Sequence, residues 1–171
     1  TALSGTAMDI TDAELAFIFA QDVTLISAGK FTVNGVTATN TANIAGTTLL
    51  DGSGEVEFSS GASVFSNGLT VQADDLVDID VAVTTSSGNL SIDGDADNAT
   101  DSNDNVDLGS GVTLTATSGN IQLDATNGSI VLSGSGDTVT IQTSGGTGEI
   151  SLTDQVTDSN TATDLSLSTH T

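Results

Sequence analysis

The sequence predicts an all-β chain wound as a parallel β-solenoid of short repeated strands, and three observations carry that expectation. The first is a recurring pair of apolar residues one position apart, most regular at Val112/Leu114, Ile121/Leu123, Ile130/Leu132, Val139/Ile141 and Ile150/Leu152, with starts spaced 9, 9, 9 and 11. Period-2 alternation puts both members of a pair on one face and the residue between them on the other. The second is the set of separators, "SGN", "TNG", "SGSGD" and "SGGTG", which supply the left-handed backbone positions that tight corners need. The third is the apolar inventory, mostly Val, Ile, Leu and Ala with five Phe and no Trp or Tyr. Stacked rungs want small, repeatable side chains, whereas an antiparallel sandwich would use more varied loops and larger aromatic residues.

Taken in order, "ELAFIFA" at 14–20 reads as a short capping helix or a further strand. Earlier strands follow at Val23/Leu25, Phe31/Val33, Val56/Phe58, Leu69/Val71, Val77/Ile79 with Val81/Val83, and Leu90/Ile92. A longer echo joins "TSSGNLSID" at 85–93 to "ATSGNIQLD" at 116–124, an offset of 31. Two pairs per turn would give turns of about 18 to 22 residues, roughly eight rungs at about 4.8 Å and a rod near 40 Å long. The stretch 93–105 is then a corner insertion, and 154–171 is a last rung at Leu165/Leu167 or a frayed tail. The whole of 1–171 reads as one solenoid segment of a longer repeat protein, with no Pro to blunt its edges and no clear amphipathic cap.

Charge narrows the partners. With 23 acids against one base, Lys30, and a net charge of -22, phosphate is repelled, so nucleic acid and anionic membranes are excluded as expected partners. No apolar run is long enough to insert in a membrane. The self-repulsion favours a salty or divalent-rich setting, which points to the extracellular side. Without Cys there is neither a disulfide nor a thiolate metal site.

The candidate site is "DGDADNATDSNDN" at 93–105, whose Asp93, Asp95, Asp97, Asp101 and Asp104 form an oxygen-only ligand set suited to Ca²⁺. It departs from the helix-flanked calcium loop at its sixth position, Asn98 instead of Gly, and at its twelfth, Asp104 instead of Glu. A solvated turn is the competing reading. Around Gly134, Gly136, Asp137 and Val139 the residues are out of order for a nonapeptide calcium roll. No catalytic residue is expected. Lys30 alone cannot serve an anionic sugar, the single His170 is penultimate, and Glu55 and Glu57 flank Val56 on an outward face where solvation is their role. A glycosidase would need only a carboxylate pair, drawn from Glu55, Glu57, Glu149 or the Asp residues, but also a sugar platform that Trp or Tyr would provide. The acceptor patterns at Asn89, Asn98 and Asn127 are as frequent as chance gives in so Ser- and Thr-rich a chain.

The segment "ITDAELAFI", the paired "SGN" corners and "DGDADNA" followed by "GVTLTA" together resemble the long β-strand-repeat exoproteins related to the filamentous haemagglutinin family, over about Ile10 to Thr153. The resemblance implies a secreted right-handed β-helix used in adhesion, matrix building or surface coating, and supplies no catalytic residues. The expected function is therefore a non-catalytic structural protein of the cell surface or extracellular matrix, stabilised by Ca²⁺. Its expected partners are further copies joined end to end, surface glycans or other matrix proteins. The alternative is a carbohydrate-active β-helix domain using a carboxylate pair.

Overall fold

In the computed structural model, residues 7–101, 103–159 and 163–170 are described. The apolar pairs fall in strands of three to five residues, except that Val81 and Val112 lie just before theirs, and each Gly-containing separator is a corner. The chain begins with β1 (Ala7–Thr11) and a one-turn helix α1 (Asp12–Leu15), then β2 (Val23–Ser27), β3 (Lys30–Asn34) and a second one-turn helix α2 (Ala38–Thr41). Regular coils of three strands follow. They are β4 (Thr48–Gly52), β5 (Glu55–Ser59) and β6 (Ser63–Phe65), then β7 (Leu69–Ala73), β8 (Leu76–Ile79) and β9 (Val83–Thr85). The next are β10 (Leu90–Asp93), β11 (Asn105–Leu108) and β12 (Thr113–Ala116), then β13 (Ile121–Asp124), β14 (Ile130–Leu132) and β15 (Val139–Thr143). The last coil is β16 (Ile150–Leu152), β17 (Val156–Asp158) and β18 (Leu165–Thr169).

The strands stack into three all-parallel sheets that form the sides of a β-solenoid of about six turns. Side one is β2-β4-β7-β10-β13-β16, side two β1-β3-β5-β8-β11-β14-β17 and side three β6-β9-β12-β15-β18. A turn thus holds three strands, where the sequence suggested two, and the eight expected rungs become about six, roughly 30 Å of rod at the usual strand spacing. Period-2 alternation tells inside from outside but not which side of the coil a strand occupies. The 31-residue echo marks a full turn, since Leu90 pairs with Ile121 and Ile92 with Leu123. Turns elsewhere are shorter, as in Thr48 on Leu69 and Leu69 on Leu90.

The inward pairs make one continuous apolar column, with Phe31, Val56, Val77, Val106 and Ile130 each fully buried along side two. Corners stack as tightly as strands. The "SGN" glycines Gly88 and Gly119 sit one above another with Gly148 of the next coil, so that a methyl on Gly119 would strike the carbonyl of Gly88, and one on Gly148 the carbonyl of Gly119. Beside them, the Asn89 side-chain oxygen accepts the Asn120 N–H at 2.9 Å, and that of Asn120 accepts the Glu149 N–H at 2.9 Å. Small side chains and a recurring Asn are what this stack requires.

At the N-terminal end, side three is helical instead of extended. Glu14 accepts the Thr11 N–H at 2.9 Å to close the first turn of α1, and that bond holds its carboxyl below the usual range. Asp12 reaches down a coil to accept the Thr37 backbone N–H at 2.6 Å and a side-chain N–H of Asn40 at 2.8 Å, which ties α1 to α2. The "ELAFIFA" segment therefore contributes one helical turn, with Leu15 buried and Phe17 and Phe19 largely exposed.

Candidate cation site

The acidic insertion lies in the corner between β10 and β11, and its five candidate ligands divide by environment. Asp93 is half-buried at the end of β10, where burial raises its carboxyl above the usual range and its Oδ1 accepts the Asp95 N–H at 3.1 Å. Asp97 and Asp101 are exposed on the rim. Asp95 and Asp104 are buried, at 0% and 4% exposure. Asn98 sits at φ 55°, the left-handed geometry that glycine supplies in the sixth position of helix-flanked calcium loops and that Asn tolerates best among the others.

The two buried acids rest on the same turn of the next coil. Asp95 Oδ2 accepts the backbone N–H of Asn127 at 2.9 Å and its amide N–H at 2.7 Å. The Asp104 carbonyl lies where any side chain on Gly128 would have to go, while Asn105 Oδ1 accepts the Ser129 N–H at 2.9 Å. The insertion is thus folded onto its neighbour instead of hanging in solvent. Its neighbour lies some 32 residues away in sequence, so the burial of two acids out of five had no local signal.

A second acidic group was read only in part, since the sequence placed Glu55 and Glu57 on an outward face but did not join them to Asp78 or Lys30. Parallel register places Glu57, Asp78 and Asp107 in one outward column of side two, and oxygens of Glu55, Glu57 and Asp78 converge within 4.8 Å. Lys30 Nζ lies 3.0 Å from both Glu55 Oε1 and Glu57 Oε2, so the chain's one basic side chain already occupies this cluster. The signal was a 25-residue spacing that becomes meaningful only once the coil length is known. Burial first, then Asp80, Asp107, Glu55 and Glu57, push Asp78 up to about 6. Burial also raises Asp107. By contrast, the outward positions of side three are uncharged, namely Val64, Thr84, Thr113, Thr115, Thr140, Gln142, Ser166 and Ser168.

The Asp78 shift has a measurable consequence. A carboxyl that titrates near 6 in the folded state and near its ordinary value when unfolded binds more protons folded, so its contribution to stability falls as pH rises between those values. Asp78→Asn should therefore stabilise the fold at about pH 7.5 by on the order of 1 kcal/mol, allowing for solvent screening of a half-exposed group, and give no gain near pH 4. Thermal melts of both proteins across that range check it.

No protein-family model, curated protein or solved structure matches the chain. No helix among the described residues is long and apolar enough to cross a membrane.

Proposed function

We propose that the chain is a non-catalytic structural segment of the cell surface or extracellular matrix, a stiff rod that joins further copies end to end. The observation that carries this reading is the apolar surface left exposed on the last described coil. Val156 and Leu167 continue the inward columns of Ile130 and Ile141, yet they are 36% and 52% exposed where the residues above them are fully buried. A further coil laid against β16, β17 and β18 would cover that apolar surface and pair their backbone edges. Asp158 continues the inward column below Leu132, so the joint also has to accommodate a carboxylate. The acidic faces keep rods soluble and apart, and surface glycans or other matrix proteins are the remaining candidate partners.

Sedimentation velocity and negative-stain microscopy over a wide concentration range test the joining. Rods that lengthen with concentration support it, and a monodisperse monomer throughout overturns it. Antibody labelling of intact cells tests the location. The carbohydrate-active alternative draws on the converging oxygens of Glu55, Glu57 and Asp78. It requires Glu57→Gln to abolish a hydrolytic activity on polysaccharides that the unmodified chain displays.

A further inference from the structure

Among the described residues, Asp95 and Asp104 each bury a carboxylate oxygen that no donor serves. At Asp95, Oδ2 holds both N–H groups of Asn127 while Oδ1 has no hydrogen-bond partner. At Asp104, Oδ2 accepts the Asp101 N–H at 3.0 Å while Oδ1 has none. Burying a carboxylate oxygen without a donor or counter-charge is costly, more so than for a neutral group. Relief from within the chain would require a hydrogen-bond donor or a basic side chain, and among the described residues no donor reaches either oxygen. Lys30, the only Lys or Arg, is committed to Glu55 and Glu57 on side two.

We propose that Asp95 and Asp104 are the side-chain ligands of a hard divalent cation, of the Ca²⁺ class, bound within the 93–105 corner against the Asn127–Gly128 turn. The surroundings supply carboxylates, amide oxygens and backbone carbonyls and no sulfur or imidazole, which selects Ca²⁺ and Mg²⁺ over zinc or copper. Of the two, Ca²⁺ tolerates the irregular geometry of ligands drawn from both limbs of a loop, whereas Mg²⁺ demands a near-ideal octahedron. Asp97 and Asp101, exposed on the rim, draw cations toward the corner without ligating them. Because the Asp95 carboxylate holds Asn127 and the Asp104 backbone packs on Gly128, both one coil further along, the ion locks the insertion to the next rung. This site does not depend on where the rod works or on whether it polymerises.

The test uses the full chain stripped with chelator. Calorimetric titration with CaCl₂ should show one saturable site, and CaCl₂ should raise the melting temperature above that in NaCl of equal ionic strength. Asp95→Asn and Asp104→Asn should each weaken binding by about tenfold or more, while Asp97→Asn and Asp101→Asn change it by less than about threefold. In chelator, neither Asp95→Asn nor Asp104→Asn should melt below the unmodified chain, because each removes an uncompensated buried charge. The proposal is overturned by absence of saturable binding, by an equal shift in NaCl, or by wild-type affinity in both buried-site variants. Loss of binding in Asp78→Asn would move the site to side two and overturn it equally. So would a chelator-state melting temperature lowered by both buried substitutions, which marks a purely structural pair. If Asp95→Asn does not fold, Asp104→Asn carries the same comparison alone.

Discussion

Ile130→Asp is expected to leave the chain without a cooperative thermal transition. Ile130 is fully buried on side two, in register between Val106 and Val156. An aspartate there would put an unpaired charge in the middle of the apolar column, where no donor or cation faces it. The cost is about 4–5 kcal/mol, comparable to the whole stability of many domains. Gln122→Asp provides the contrast, since Gln122 is exposed on the outward face of β13 in the same coil. It should cost no more than about 0.5 kcal/mol. Circular dichroism melts of the two variants decide the matter, and equal melting temperatures would disprove the inward placement of the apolar pairs.

Gly128→Ala is expected to be nearly as damaging for a different reason. The added methyl would overlap the carbonyl of Asp104 and crowd the Asn105 side chain, and a backbone carbonyl on the adjacent coil cannot step aside as a flexible side chain can. A loss of about 3 kcal/mol is expected. Gly136→Ala separates this packing effect from backbone conformation. Gly136 adopts φ 91°, and a methyl added there would meet nothing within 4 Å, so alanine carries only the left-handed penalty of about 1–2 kcal/mol. Denaturant unfolding of both variants measures the difference, and a Gly136→Ala loss as large as that of Gly128→Ala would place the cost in the backbone instead of the contact.

These residues also mark what the sequence could and could not reveal. Inward and outward positions were legible because alternation is local, and pairs such as Ile121/Leu123 and Val139/Ile141 are buried as expected. The recurrence of "SGN" was legible too, because its cause is steric. The number of sides was not, since it depends on how far each corner turns. The helical side at α2 was hidden because "ATNT" has no helical pattern of its own, and the acid that anchors its start, Asp12, stands 25 residues before Thr37. In the acidic loop the sequence showed five equivalent aspartates. What distinguishes Asp95 and Asp104 is contact with Asn127 and Gly128 on the next coil, which no local pattern encodes. The clamp of Lys30 on Glu55 and Glu57 was invisible for the same reason.

Every registered ladder among the described residues runs parallel, and the sides follow one another in the same order at each turn. Such an object has direction, with a head built from β1 and β2 and a tail built from β16, β17 and β18. A two-fold axis through a joint would set tail against tail and make the meeting strands antiparallel, so a parallel ladder is continued only by translation, the head of one copy against the tail of the next. Contacts of that heterologous kind have no built-in stopping point, and any fibre formed this way is itself polar, its two tips unlike in chemistry.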